Sequence, residues 1–332
     1  MRPTFSIILF TVLSGAGYGL LFVVGLSLLS VPSLMSSLIP PWSNAIDTFA
    51  IDIRVTLEVA LAAGALLAIA GLFCSVGHLG KPLRAWRAFS QWRSSWLSRE
   101  GVASVLTFVP TFGLLIAMLC GLDIRSNGAL LGGAALACLS AITVYCTARI
   151  YSSLKPVRAW NSRYVVPVYL LLACYTGALW AVALYVSTPV FSPVFVSFLP
   201  VFFWNAILIA PLAVGLKLLY WRSLAKAAQP YVGDATGLAR LGSVRSFEQP
   251  HTEENYLTHE MGFVLARKHS RRLRVIASAL ILLAPLSAIP LTFVFGDAAW
   301  WLVVLLGLLG VFVERWLFFA EARHAVIAFY GR

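Results

Sequence analysis

The sequence predicts an all-α integral membrane protein with eight transmembrane helices and with both termini in the cytoplasm. Of its 332 residues, 60% are hydrophobic and only 11% are charged, and the mean hydropathy is +0.86. A soluble globular domain does not need so large an apolar fraction. The apolar runs suit helices of about 20 residues, the length that crosses a bilayer, and they are about twice as long as barrel strands.

The spans follow one another from the N-terminus. An uncharged run from residue 5 is too long for the core of a signal peptide, so we expect it to remain as the first helix. The uncharged stretch 164–216 is too long for one span, and Pro189, Pro193 and Pro200 divide it. We therefore expect a single transmembrane domain over residues 1–332, with helices at approximately 5–29, 57–77, 101–122, 127–149, 164–187, 196–218, 273–295 and 298–320.

The distribution of positive charge predicts the orientation of these helices. The net charge is +12, and with eight spans every Lys and Arg except Arg54 and Arg125 falls on the side of the termini. The positive-inside rule places that side in the cytoplasm. The charge is therefore a signal of topology, with attraction for anionic membrane lipids or an acidic partner, and nucleic-acid binding is not expected.

The largest polar connector is residues 218–272, which we expect to be a cytoplasmic loop. Its middle is rich in Gly, Ser and Pro, whereas 253–274 has helical spacing and becomes basic. A solvated linker and a docking surface for a partner protein both fit this composition.

A hexapeptide occurs twice at the cytoplasmic ends of predicted helices. KPLRAW spans residues 81–86 and KPVRAW spans residues 155–160, so five of six positions match. The repeat suggests a duplicated helix pair, helices 1–2 and 3–4. His78 precedes the first copy, and the second copy has no counterpart to it.

Cysteine and histidine patterns argue against a cofactor held by this chain. The five cysteines lie singly in apolar runs without a C-x-x-C motif, which is typical of small buried residues and predicts no iron–sulfur cluster. A haem held by two histidines needs ligands inside the bundle, and no predicted helix has an internal His. His78 and His324, which lie near two helix ends, are the one histidine pair that remains a candidate for haem ligation.

The segment 77–101, GHLGKPLRAWRAFSQWRSSWLSREG, joins predicted helices 2 and 3 and combines the residue types that a quinone site needs. Singly, an acid at a helix start and interfacial Trp residues are ordinary features. Together they offer flat apolar walls for a ring, donors for its carbonyls and groups that exchange its two protons. The candidate quinone-binding and proton-exchanging residues are His78, Glu100, Arg84, Lys81, Trp86 and Trp96.

The same segment resembles the HLG-P-RA…S-L-S-E stretch of the DMSO reductase anchor-subunit family. ARIYSSLKPVRAW (148–160), YLTHEMGFVLARKH (256–269) and ERWLFFAEARHAV (314–326) are also similar to that family, so the resemblance extends over most of the chain. No single motif is specific, but their combination is.

The resemblance implies eight helices without a redox cofactor of their own. Such proteins anchor a molybdopterin catalytic subunit and a four-cluster iron–sulfur subunit, and they exchange electrons between the clusters and menaquinone or ubiquinone. The family's HLG histidine and the glutamate about twenty residues later are implicated at the quinol site; here they correspond to His78 and Glu100. The resemblance also implies location in the bacterial inner (cytoplasmic) membrane.

The basic loop 77–101 and the second copy, KPVRAW, look closer to relatives found with cytoplasmic sulfite-oxidising complexes. We therefore expect electrons to flow from sulfite into quinone, with quinol oxidation as in DMSO reductase as the alternative. His78 would bind one carbonyl, Glu100 would exchange a proton, Lys81 and Arg84 would fix the loop or stabilise negative charge, and Trp86 and Trp96 would wall the ring.

Two other functions fit the sequence, a secondary transporter and a purely structural anchor. Internal repeats and helix prolines are compatible with transport. Coupled transport usually needs an ionisable residue at mid-membrane, and Glu58 and Glu314 are predicted near helix ends instead.

Overall fold

The computed structural model describes residues 4–38, 45–77, 81–188, 199–226, 231–245, 247–248 and 265–330. Within these ranges the chain is helical and contains no β-strand, although Val157 and His324 form one isolated antiparallel bridge. The α-helices are α1 (Phe5–Leu38), α2 (Ala45–Val76), α3 (Trp96–Leu119), α4 (Asn127–Ser152), α5 (Val165–Ser187), α6 (Leu199–Lys226), α7 (Val232–Thr236), α8 (Leu265–Leu286), α9 (Ala288–Phe295) and α10 (Ala299–Ala320). Four 3-10 helices cover Pro82–Gln91, Leu238–Leu241, Gly296–Ala298 and Ala325–Tyr330.

The predicted all-helical membrane class is confirmed. Seven helical segments within the described ranges are long and apolar enough to cross a membrane. They are Phe5–Ser30, Ile53–Val76, Trp96–Leu119, Asn127–Ser152, Val165–Ser187, Phe203–Lys226 and Ala288–Ala320.

Several helices are longer than their apolar runs. α1 has 34 residues and α2 has 32, and at 1.5 Å per residue both exceed the roughly 30 Å hydrocarbon layer. α2 continues beyond its apolar part because its polar start is itself helical, with Arg54 and Glu58 paired at 3.5 Å one turn apart.

The connector predicted at 218–272 contains more helix than its composition indicated. α6 continues to Lys226, and α8 already begins at Leu265 with the basic sequence LARKHSRRLR. Residues 256–264 of the stretch 256–269, which resembles the anchor family, lie outside the described residues.

The long helices form two four-membered rings that share an interface. In the first ring each of α1, α2, α3 and α4 packs against two neighbours, and in the second ring α5, α6, α8 and α10 do the same. The rings join where α1 packs against α5 and α10, and where α4 packs against α5. α1 and α5 are consequently the most buried spans.

Glycines allow α1 to approach its neighbours closely. A Cβ atom on Gly19 would overlap the carbonyl group of Ala173 in α5, and one on Gly177 would overlap the backbone of Gly19. Lipid provides no hydrophobic drive between helices, so close contact through small residues holds such an interface together.

Candidate functional site

Glu100 is buried between helices of the first ring. It lies five residues into α3, and only 5% of its surface is exposed. The Thr147 hydroxyl of α4 donates to its Oε1 at 2.8 Å, and the Ser104 hydroxyl donates to its backbone carbonyl at 2.8 Å. Tyr18 of α1 lies close to both Ser104 and Glu100. The candidate proton-exchanging carboxyl group is therefore held in one orientation, away from bulk water.

A row of threonines continues from Glu100 along the seam between α3 and α4. The hydroxyls of Thr107 and Thr143 lie 3.1 Å apart, and both residues have no exposed surface. Thr111 donates to the Thr107 carbonyl one turn earlier in its own helix, and the single hydroxyl hydrogen of Thr147 is shared between Glu100 and the Thr143 carbonyl. These hydroxyls satisfy their donors locally, which is how polar side chains are tolerated inside a span.

Trp96 stands one helical turn before Glu100, so both side chains lie on the same side of α3. Its ring is half-buried and is flanked by two guanidinium groups, Arg99 at 4.3 Å and Arg149 at 5.0 Å from the ring centroid. Tyr145 meets the same ring edge-on at 5.9 Å. This arrangement provides a flat wall in a positive environment beside the start of α3.

The remaining candidates of the loop lie on the surface. Lys81 and Arg84 are exposed, and Trp86 exposes 66% of its surface on the 3-10 helix Pro82–Gln91. This helix is tied to α3 because the Ser98 hydroxyl donates to the Ala88 carbonyl. The structure thus separates the exposed residues Lys81, Arg84 and Trp86 from the more buried Glu100 and Trp96. His78 lies outside the described residues.

His324 has a local structural partner. Its Nδ1 accepts a hydrogen bond from the Val326 backbone at 3.2 Å, and its backbone forms the bridge with Val157. This bridge places it beside the second KP hexapeptide.

The two KP hexapeptides have opposite environments. Trp160 exposes only 5% of its surface and donates from Nε1 to the Phe318 carbonyl at 3.1 Å, while Tyr220 donates to the Ala159 carbonyl at 2.9 Å. Trp86, at the matching position of the first copy, is exposed. The second copy therefore fastens the end of α4 to α6 and α10 within the chain.

Sequence reasoning missed a buried ionic cluster in the second ring, formed by Lys217, Glu314 and Arg315. Their exposed fractions are 5%, 1% and 2%. Arg315 Nε lies 2.6 Å from Glu314 Oε2, and Lys217 pairs with Glu314 Oε1. The sequence contained one signal for this cluster, since these charges fall inside predicted helices 6 and 8, and charged residues inside spans usually pair with one another. Their partners depend on helix packing and could not be read from spacing.

Aromatic rings surround the ionic cluster. The Arg315 guanidinium lies 3.8 Å from the centroid of Tyr169, and the Lys217 ammonium lies 4.1 Å from that of Tyr220. Such cation–π contacts partly replace the lost hydration of buried cations. Just beyond α10, Glu321 pairs with Arg274 at 2.8 Å, and burial raises the pKa of this carboxyl group in spite of the ion pair.

A small cavity lies between the two rings of helices. Its volume is about 20 Å³, which holds about one water molecule and no quinone ring. Thr147, the partner of Glu100, and Arg315 of the ionic cluster both line it. Its other polar lining residues are Thr11, Ser14, Tyr18, Tyr169 and Thr176.

No three His, Cys, Asp or Glu side chains in the described part of the chain lie close enough to hold a metal ion. The cysteines Cys74, Cys120, Cys138, Cys146 and Cys174 are all free thiols.

Comparison with known proteins gives two matches. The family model described as DMSO reductase anchor subunit (DmsC) matches residues 51–321. A protein of Allochromatium vinosum, named as the C subunit of sulfite dehydrogenase, is 29% identical over 343 aligned positions, which cover 99% of each chain. No solved structure matches this chain.

Proposed function

Because the chain belongs to the DMSO reductase anchor subunit family, we propose that it exchanges electrons between an iron–sulfur subunit and the membrane quinone pool. The iron–sulfur subunit would in turn serve a molybdopterin catalytic subunit, and the complex of three subunits would reside in the bacterial inner membrane. This chain would have no part in the chemistry of the catalytic subunit's own substrate.

The buried Glu100 is the observation that carries the quinone assignment. Reduction of a quinone consumes two protons at the ring oxygens, and its reversal releases them. A carboxyl group enclosed at a helix start, with a single hydroxyl donor, can hold such a proton out of bulk water. Glu100 would exchange the proton, and His78 would donate a hydrogen bond to one ring carbonyl.

The quinone would bind at the rim of the first ring of helices, since the cavity beside Thr147 is too small for it. Trp96 would form one wall of that site. Lys81, Arg84 and Trp86, on or beside the exposed 3-10 helix, would form its mouth at the bilayer surface. The positive charges of the first two would favour electron-rich quinone oxygens.

We also propose eight crossings with both termini in the cytoplasm. The eighth would be α8 continued by α9, which together lead from a basic start to the turn at Gly296. Gly296 has a positive φ of 58°, a conformation that glycine adopts at little cost and that reverses the chain before α10. The arginines at the start of α8 support a cytoplasmic position for that end.

The direction of electron flow is proposed to be from the partner subunits into quinone. The support is the full-length similarity to a protein named as a subunit of sulfite dehydrogenase. Quinol oxidation is the alternative direction, and either menaquinone or ubiquinone would fit the site. Because the proposed site opens on the cytoplasmic side, no net charge would cross the membrane if the catalytic subunit is also cytoplasmic.

One observation favours a secondary transporter as a second candidate. Lys217, Glu314 and Arg315 are buried charges inside spans, which often mark ion or substrate pathways. Affinity purification of the tagged chain from its native membrane separates the two candidates. Co-purification of a molybdopterin protein and a multi-cluster iron–sulfur protein supports the anchor, whereas isolation of the chain alone supports the transporter.

Glu100→Gln tests the quinone role in the assembled complex. We expect quinone-linked turnover to fall about 10²- to 10⁴-fold, as for loss of a general acid or base, while turnover with an artificial dye stays unchanged. Glu58→Gln is the matched control, because Glu58 is another carboxylate of a span and is paired with Arg54 in α2. Retained quinone-linked turnover in Glu100→Gln would leave only a structural anchor.

A further inference from the structure

When all three of its groups are ionised, the ionic cluster Lys217–Glu314–Arg315 carries one positive charge in excess. Both cations pair with the single carboxylate of Glu314. The two terminal guanidinium nitrogens of Arg315 meet no hydrogen-bond acceptor with good geometry in the described part of the chain, and the group lies against the Tyr169 ring. A buried charge without compensation is costly, so a second negative group is expected nearby.

Glu321, the other carboxyl group near Lys217, is already paired with Arg274, which leaves the buried Glu100 as the candidate for this second negative group. The described ranges contain four buried charged residues, which are Lys217, Glu314, Arg315 and Glu100. Arg315 and Thr147 line the same cavity, and Thr147 donates to Glu100. The four charges sum to zero when Glu100 is ionised, and to +1 when it is protonated.

The other titratable groups around Glu100 do not supply this charge. They are Tyr18 of α1, Cys146 and Tyr151 of α4, and Tyr169 of α5. Tyrosine and cysteine side chains are neutral near pH 7 unless strongly perturbed. The nearby cations are Arg99 of α3 and Arg149 of α4, which flank the Trp96 ring and are only half-buried. Arg99 donates to the carbonyls of the surface loop at Trp92 and Arg93.

We propose that Lys217, Glu314 and Arg315 form a positioning site that sets the proton affinity of Glu100 across the water-sized cavity. This rests on the proposed role of Glu100 in quinone-linked proton exchange. The excess positive charge favours the ionised carboxylate, and one water in the cavity connects the Arg315 guanidinium to the Thr147 hydroxyl.

The test uses the assembled complex in liposomes. At each pH the rate of quinone-linked turnover is divided by the rate of dye-linked turnover, and the pH midpoint of this ratio is compared between variants. Lys217→Gln removes the excess positive charge and should raise the pH midpoint. Glu314→Gln adds to the excess positive charge and should lower the pH midpoint. Each shift should be about one pH unit, as for a unit charge on the order of 10 Å away at an effective dielectric constant of about 20. Arg125→Gln, in the α3–α4 turn at the far end of α3, should leave it unchanged.

Two further variants change the cluster at more than one residue, and the second of them leaves no unpaired buried charge, which alone can prevent assembly. The double variant Lys217→Met/Glu314→Gln keeps the net charge at +1 and should retain the wild-type midpoint. Adding Arg315→Met makes the site neutral and should raise it. Midpoints that stay constant or all shift together would overturn the inference. Loss of turnover in Glu100→Gln with constant midpoints would sink it while leaving the proposed function intact.

A second inference rests on the exposed 3-10 helix Pro82–Gln91, in which every third residue lies on the same face. Leu83, Trp86 and Phe89 form one row, which Trp92 continues just beyond the helix, with exposed fractions of 92%, 66%, 41% and 52%. The neighbouring row holds Arg84, Arg87 and Ser90, and continues at Arg93.

We propose that this helix lies in the headgroup layer of the membrane and binds anionic phospholipid. It connects the ends of two spans, so it must lie at the membrane surface, and residues 79–99 contain no acidic side chain. The apolar row would enter the edge of the acyl region, and the arginines would contact headgroup phosphates. Trp160, the counterpart of Trp86, is instead covered by the chain itself.

Spin labelling at single cysteines tests this in the full chain, on a background with the five native cysteines replaced. Positions 83, 84, 86, 87, 89 and 90 are compared for collision with oxygen and with a water-soluble nickel complex. In vesicles containing about one-third phosphatidylglycerol, we expect labels at positions 83, 86 and 89 to lie deeper in the bilayer than labels at 84, 87 and 90. In pure phosphatidylcholine, this three-residue periodicity of depth should weaken. Uniform exposure to water, or burial that appears only when partner subunits are added, would overturn the proposal.

Discussion

At the scale of single residues, the orientation of Glu100 depends on one hydroxyl group. Thr147 is the side chain that donates to its carboxyl oxygen, and it also lines the cavity that leads to Arg315. The sequence pointed to Glu100 as a candidate because it ends a segment that also contains His78 and several Trp residues, and because that segment resembles the anchor-subunit family. It could not identify Thr147, since nothing in a helix of small and apolar residues marks which threonine faces another helix.

Thr147→Val should weaken quinone-linked turnover at least about tenfold while the complex still assembles. The substitution keeps the shape of the side chain but leaves a buried carboxyl oxygen without its donor, a change of about 1–3 kcal/mol. Thr111→Val is the control, because Thr111 donates only to a carbonyl of its own helix. Equal rates in the two variants would show that the hydrogen bond to Glu100 has no role in turnover.

At the scale of helices, α1 packs on its neighbours through close backbone contact as well as through buried side chains. Gly19 of α1 and Gly177 of α5 meet where neither backbone leaves room for a Cβ atom. The apolar runs predicted where these helices lie in the sequence. They could not predict which faces touch, because nearly all positions of a buried span are apolar and the periodicity is weak.

Gly177→Val should destabilise the crossing of α1 and α5 by at least about 1–3 kcal/mol, as overpacking does. Thermal unfolding of the detergent-solubilised chain, followed by loss of monodisperse protein, measures this effect. Gly15→Ala in α1 is the matched control, since a Cβ atom there meets nothing within 4 Å. An unchanged unfolding temperature in Gly177→Val would mean that the two helices do not pack in this way.

At the scale of the whole molecule, two rings of four helices share the α1–α5 interface. The predicted repeat of KPLRAW and KPVRAW relates two segments of very different burial, one exposed at the surface and one packed against the second ring. Sequence similarity between the copies could not reveal this difference, because it arises from what surrounds each copy. Likewise, the pairing of Lys217 with Glu314 joins residues far apart in the sequence, beyond the reach of any local pattern.

Labelling of single cysteines in intact cells tests the proposed topology of the whole chain. Asp123→Cys and Asp297→Cys should react with a membrane-impermeant reagent from outside. Thr236→Cys and Arg323→Cys should react only after the membrane is opened, because eight crossings return the chain to the cytoplasm. Reaction of positions 236 and 297 from the same side would exclude a crossing by α8 and α9.

The position of α1 between the two rings also has a consequence for biosynthesis. α1 is made early, but the faces that meet α5 and α10 stay open until residues far downstream have been inserted. During that interval the face of α1 that carries Gly19 must remain in lipid or be shielded by an insertion factor. Completion of the fold is therefore coupled to synthesis of the last span, so a chain that stops before α10 presents an open groove to membrane proteases.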